Sequence, residues 1–303
     1  MNGKRLSRAL AIGMLAAIGS YLWWYRGELA SLRLAPFSLL LCAFCTAGGL
    51  AASGLLSYAI VNKLGARIGI WESMSLSVVS TGANALAPGQ SGTVGRAVYL
   101  KRLHNFEYSR FLATVVASQV LMVIVCSVLA AAAVAWMAFV GRRPGLNAML
   151  GAAALCLVIS TLACFLPGIS AKGNWLFDRV SIVSASWLKL RAQPMFFATL
   201  TALVSLQVAS QLLSLWTACA AIGIDLGFVE VTTIGAFGTL ASLLSITPGA
   251  LGIHEAVVAS VGAVVAIAPA ELVIAALITR AVLLVLLLVL TPPAISFLHS
   301  RLQ

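Results

Sequence analysis

The sequence predicts an all-α polytopic membrane protein: about six transmembrane helices plus two re-entrant broken-helix hairpins, in an inverted-repeat arrangement. Three observations lead there. The 303 residues are 61% hydrophobic and 9% charged, with mean hydropathy +1.05, whereas soluble domains carry about 25% charged residues. Two Pro-Gly-x-x-Gly motifs, Pro88-Gly89-Gln90-Ser91-Gly92 and Pro248-Gly249-Ala250-Leu251-Gly252, interrupt the apolar chain. The segments around the two motifs also resemble each other, in the same order. Residues 1–303 read as a single transmembrane domain.

Taken in order, the first apolar stretch runs from Ala9 to Tyr25, after Lys4, Arg5 and Arg8. No small-x-small cleavage site follows it, and Trp23-Trp24-Tyr25 reads as an interfacial belt, so an uncleaved helix is expected. Stretches long enough to cross ~30 Å of hydrocarbon follow at roughly 36–61, 107–140, 147–167, 195–222 and 270–298. Between them, 72–103 and 230–267 are each broken by a Pro-Gly. Proline removes a backbone donor and glycine accepts any φ, so each motif must end a helix. In hydrocarbon such a break survives only where protein or a water-filled cavity satisfies the freed backbone groups. The arms before the breaks, Glu72 to Asn84 and Thr232 to Ser242, are rich in small and hydroxylated residues, which permit close helix packing. Segment 172–191 carries Asp178, Arg179, Lys189 and Arg191 among Trp175, Phe177 and Trp187. It reads as an interfacial amphipathic segment, either a plain connector between halves or a lipid-sensing element.

Each broken segment could cross the membrane or re-enter and return, and basic residues separate the two. With both re-entrant and the N-terminus cytoplasmic, 14 Lys and Arg fall inside and four outside (Arg26, Arg33, Arg142, Arg143), with Arg280 inside a span. With both crossing, the split is about eight to ten. The positive-inside rule favours the hairpins. It also explains the +11 formal charge better than nucleic acid does, because the basic residues sit between apolar spans rather than on one polar face.

Ala52-Ser-Gly-Leu-Leu-Ser57 resembles Ala209-Ser-Gln-Leu-Leu-Ser214, and Gly69-Ile-Trp-Glu72 resembles Gly227-Phe-Val-Glu230. With the two motifs, these matches outline one repeat at about 36–140 and a second at about 195–298. One unit enters from outside and the other from inside, as in many secondary transporters.

Chemistry concentrates at the breaks, where the candidate substrate-binding residues are Asn84, Gln90, Ser91, Arg96, Thr247, His254, Glu255 and Arg280. The helix-breaking residues are Pro88, Gly89, Gly92, Pro248, Gly249 and Gly252. A helix resuming after Gly92 would offer free N–H groups and a partial positive charge to an anion. Arg96, about one turn into it, suits a phosphate, though it could instead snorkel to the interface beside Lys101, Arg102 and His104. Arg280 lies ten residues into the last span, where an unpaired arginine costs at least ~2.5–3.5 kcal/mol. Glu255 is its expected partner, with Glu271 second. That pair either locks two helices together or takes part in substrate or proton handling. His254 is a titratable candidate or simply a hydrogen-bonded interior group.

No catalytic residue, metal site or cofactor is expected. The six cysteines, Cys42 and Cys45 included, lie in apolar stretches and read as small fillers. There is no phosphate-cradling Gly-x-x-x-x-Gly-Lys-Ser/Thr loop and no Gly-x-Ser-x-Gly nucleophile turn.

Asn84-Ala-Leu-Ala-Pro-Gly-Gln-Ser-Gly-Thr-Val-Gly-Arg-Ala-Val-Tyr-Leu-Lys101, Thr247-Pro-Gly-Ala-Leu-Gly-Ile-His-Glu-Ala256 and Leu277-Ile-Thr-Arg280 resemble the signatures of the lysylphosphatidylglycerol synthase transmembrane family, the flippase-like membrane proteins. The resemblance covers essentially the whole chain and matches the flippase half, without an aminoacyl transferase domain. It departs at Thr93, where relatives often carry an acidic residue, and at His254, where they often carry arginine. It implies a lipid translocase in a bacterial or archaeal plasma membrane, N-terminus cytoplasmic. The cargo implied is a phospholipid or polyprenyl- or glycolipid with a modified headgroup. Implied partners are anionic or aminoacylated phospholipid or polyprenyl-phosphate lipid, with room for a homodimer and a lipid-modifying enzyme. The competing reading is a membrane enzyme or accessory subunit of headgroup modification without transport.

Overall fold

The computed structural model describes residues 35–87, 90–141, 145–165, 175–243 and 250–301. The expected first helix at 9–25, the candidate binding residue Thr247 and the break residues Pro88, Gly89, Pro248 and Gly249 lie outside them. Among the described residues the chain is helical throughout, with no strand. The helices are α1 (Pro36–Lys63), α2 (Ile70–Leu86), α3 (Ser91–His104), α4 (Tyr108–Val140), α5 (Leu146–Phe165), α6 (Trp175–Arg191), α7 (Pro194–Ala221), α8 (Phe228–Ser242), α9 (Ile253–Val264) and α10 (Pro269–Ser300).

Four of these, α1, α4, α7 and α10, are long and apolar enough to cross a membrane, and α5 adds a shorter apolar helix. The protein is a multi-pass membrane protein. Large apolar side chains stand exposed along these helices, among them Phe37, Phe44, Trp136, Phe139 and Leu288. In water such a surface would aggregate; in a bilayer it is the lipid-facing wall.

Eight of the ten described helices form two runs of four with matching lengths, α1–α4 and α7–α10, with α5 and α6 between them. α1 and α7 each have 28 residues and begin with proline in the first turn, where its missing N–H costs nothing. Shorter broken arms follow, and α4 and α10 close the runs with 33 and 32 residues. α1 and α7 pack antiparallel along their whole length. At one end the Ala35 N–H donates to the Ala221 carbonyl at 2.9 Å. At the other, Lys63 donates to the Gln193 side chain. Between them, Cys42 lies 3.3 Å and Thr46 2.8 Å from the Ser214 hydroxyl. Small and hydroxylated residues do this work because lipid is as apolar as leucine and gives no hydrophobic drive for helices to associate.

Each broken segment folds back on itself. Glu72, in the first turn of α2, meets His104 Nε2 at 2.6 Å and accepts from the Tyr99 hydroxyl at 3.1 Å, both near the end of α3. At the other hairpin, His254 at the start of α9 lies 2.9 Å from the Gly238 carbonyl and 3.0 Å from the Ser242 hydroxyl of α8. A Cβ on Gly238 would press against both His254 and Val258. The hairpins also reach across the molecule. α2 packs on α10 as well as α1, and α8 packs on α4 as well as α7. α6 docks through buried Trp187 and Leu190, with Trp187 edge-on to Phe197 at 6.2 Å between ring centroids.

Candidate functional site

The tip of the first hairpin is built from its own side chains. Gln90 precedes α3 in the left-handed region, φ 55°, an uncommon conformation for a residue with a Cβ. Asn84, near the end of α2, turns its Oδ1 to the new helix and accepts from the Gly92 N–H at 2.8 Å and the Thr93 N–H at 3.4 Å. Its Nδ2 donates to the Thr93 hydroxyl at 3.3 Å. Ser91 donates to the Ala83 carbonyl at 3.2 Å. Gly92 lies so close to α2 that a Cβ there would overlap the Ser80 carbonyl.

This geometry corrects one expectation. The amides of Gly92 and Thr93, read from sequence as free donors for an anion, are already capped by Asn84. Ser91 ties the hairpin together rather than facing outward. The charge available to a ligand at this break is therefore a side chain.

That side chain is Arg96. Beside the hairpin tip lies a cavity of about 190 Å³, walled by α1, α2, α3, α4 and α7. Asn84, Gln90, Thr93 and Arg96 line it from the hairpin, Ser53 and Ser57 from α1, Thr114, Ser118 and Gln119 from α4, and Gln207 from α7. Arg96 Nε and Nη2 are buried and without a hydrogen-bond partner. Native proteins rarely leave buried polar atoms unpaired, and a charged one is the costliest to leave so.

The second break is arranged differently. Glu255, in the first turn of α9, caps its own helix by accepting from the Gly252 N–H at 2.7 Å, and Gly252 itself needs φ 84°. Its other oxygen lies 2.7 Å from Arg280 Nη2 on α10. The contact is an ion pair between two largely buried side chains. The first partner named from sequence is the one found. His254 is held within the hairpin by Gly238 and Ser242.

The structure therefore does not bring all the candidates together. Asn84, Gln90 and Arg96 border the cavity; Ser91, His254, Glu255 and Arg280 are not among its lining residues. Sequence reading missed Gln119 and Gln207. The one available signal was an amide inside an otherwise apolar span, which usually faces protein or water rather than lipid. Glu72 was also missed as a structural carboxylate, and its partners Tyr99 and His104 become visible only once the hairpin closes. No group of three His, Cys, Asp or Glu side chains that could hold a metal occurs among the described residues.

No curated protein matches the chain. The lysylphosphatidylglycerol synthase TM region, however, matches residues 9–291, and with nearly its whole length inside that match this polytopic chain belongs to that family.

Proposed function

We propose that the protein is a lipid translocase, moving a phospholipid or a polyprenyl- or glycolipid with a modified polar headgroup between leaflets. The observation that carries this reading is Arg96. A guanidinium with two buried, unpartnered nitrogens borders a polar cavity in a membrane-embedded bundle. Such a charge is expensive in the empty protein, which makes an intramembrane arginine a functional-site hypothesis by default. A phosphate relieves it, because guanidinium and phosphate pair bidentately. Every membrane phospholipid carries that phosphate at the boundary between headgroup and acyl chains. In the proposed cycle the headgroup occupies the cavity while the acyl chains stay in lipid, where translocation leaves their hydrophobic burial unchanged.

The two runs of helices supply the moving parts. In this reading they are inverted repeats whose hairpins enter from opposite faces, and rocking one against the other exposes the site alternately. The Glu255–Arg280 pair holds α9 to α10 in the state described here. The setting proposed is a bacterial or archaeal plasma membrane, with the N-terminus cytoplasmic. Because the family name joins this region to a synthase, the second reading is a membrane enzyme or accessory subunit of headgroup modification without transport.

Leaflet exchange of headgroup-labelled lipids in proteoliposomes tests the proposal, comparing the wild type with Arg96→Gln and Arg280→Ala. Exchange by the wild type that Arg96→Gln abolishes supports translocation through this cavity. Failure of folded wild-type protein to move any lipid, with product formed when an activated donor is supplied, replaces it by the second reading.

A further inference from the structure

The cavity beside Arg96 holds a fixed positive charge and, among the described residues that line it, no carboxylate. The described acidic side chains are committed elsewhere or lie off its walls. Glu72 is paired with His104 and Tyr99, Glu255 with Arg280, and Glu107 with Arg110. Asp225, Glu230 and Glu271 are not among the lining residues either. What remains of the polar wall among the described residues is neutral: the amides of Asn84, Gln90, Gln119 and Gln207, and a set of hydroxyls. Several of those hydroxyls already donate to their own helix. Thr114 donates to the Phe111 carbonyl at 2.7 Å, Ser118 to the Thr114 carbonyl at 3.0 Å and Ser80 to the Ser77 carbonyl at 3.1 Å. Their lone pairs stay available, and the amides present donors and acceptors together.

We infer that this site selects a lipid whose single phosphate ester is joined to an uncharged, hydroxyl-bearing headgroup, and rejects headgroups that carry an ammonium group. The inference rests on the translocase reading for its setting and goes beyond it in naming the cargo. A phosphate satisfies the guanidinium, and a polyol matches a neutral wall because each of its hydroxyls both donates and accepts. An ammonium has three donors and no acceptor, and needs a counter-charge once removed from water. Among the described lining residues it would find only amide and hydroxyl oxygens, with Arg96 repelling it across a low-dielectric space. Discrimination of this kind comes from the group left unpaired in the wrong complex, not from extra contacts in the right one. Glycerol-phosphate lipids and polyprenyl-phosphate sugars share the chemistry.

Binding to the purified full-length chain tests this separately from transport. The probes are short-chain phosphatidylglycerol, its lysyl ester, phosphatidylethanolamine and a polyprenyl-phosphate hexose, titrated against wild type, Gln119→Glu and Gln119→Leu, with thermal midpoints confirming folding. The expected result is at least tenfold tighter binding of a polyol-phosphate lipid than of either ammonium lipid. Whichever of phosphatidylglycerol or the polyprenyl sugar binds tighter names the source. Gln119→Glu, which installs a carboxylate in the wall without changing its shape, should narrow that gap tenfold, whereas Gln119→Leu should not. Equal or tighter binding of the lysyl ester by wild type, or an unchanged ratio in folded Gln119→Glu, overturns the inference. Selective binding with no leaflet exchange would sink the translocase reading instead and leave the selectivity standing.

Discussion

Arg96 sets function against stability in one side chain. In the translocase reading, the unmade-bond penalty carried by its two unpartnered nitrogens is relieved when an anion binds. Arg96→Gln should therefore raise the thermal midpoint of the empty protein, by relief on the order of 1–3 kcal/mol, while abolishing lipid exchange. A variant that loses both stability and transport would mark Arg96 as structural. Asn84 predicts the opposite pattern. Its side chain caps two amides of the next helix, so Asn84→Ala should destabilise by ~0.5–2 kcal/mol, read as a lowered midpoint with Arg96 still in place. Both residues were legible in the sequence because they flank a Pro-Gly, but only one role was. A polar residue beside a break announces that something polar is needed there; it does not say whether the protein or the ligand answers. Gln119 and Gln207 were not legible as lining residues for a related reason. A single amide in an apolar span can point to any side of the helix, and only packing fixes the direction.

The hairpins show what an element requires beyond its break. Gly92 places α3 against α2 with no room for a Cβ, and a Cβ on Gly54 of α1 would lie only 3.1 Å from the Met74 Cα of α2. Gly92→Ala must push α3 off α2, and overpacking of this kind costs about 1–3 kcal/mol, visible as a lower midpoint. The Glu255–Arg280 pair joins α9 to α10. Because it is largely buried, removing either charge alone should cost ~3–5 kcal/mol by stranding the other. Arg280→Met combined with Glu255→Gln should recover most of that loss, and a double-mutant cycle on thermal unfolding measures it. Additive losses would show that the two side chains act separately. Helix ends and breaks were readable because proline and glycine act locally. The crossing of hairpins between halves, α2 onto α10 and α8 onto α4, was not. A lipid-facing side chain and a core-facing one are both apolar, so these spans lack the polar stripe that marks the exposed face of a soluble helix.

At the scale of the molecule, the antiparallel seam of α1 and α7 joins the two runs of helices end to end, and it fixes how the hairpins relate. Ala35 bonded to Ala221 and Lys63 to Gln193 put the end of α1 beside the start of α7. The hairpin following α1 therefore begins at one end of the seam and the hairpin following α7 at the other. Each hairpin returns towards its own starting side, as the Glu72–His104 contact shows for the first. This yields a labelling prediction that does not depend on transport. In a background with native cysteines replaced by alanine, Arg67→Cys and Arg102→Cys bracket the first hairpin, and Asp225→Cys and Ala268→Cys bracket the second; all four positions are exposed. A membrane-impermeant maleimide applied to sealed, oriented vesicles should label Arg67→Cys and Arg102→Cys from one face, and Asp225→Cys and Ala268→Cys from the other. The positive-inside count assigns the first pair to the cytoplasm. If Arg67→Cys and Arg102→Cys label from opposite faces, the first broken segment crosses the bilayer. The basic residues then lose their inside bias, and Arg96 ceases to sit on a re-entrant arm. Same-face labelling within each pair, with the pairs on opposite faces, is the arrangement in which two half-membrane arms leave a polar space between them without a continuous pore, which is the condition a headgroup-sized cavity needs to move a charge while the bilayer stays sealed.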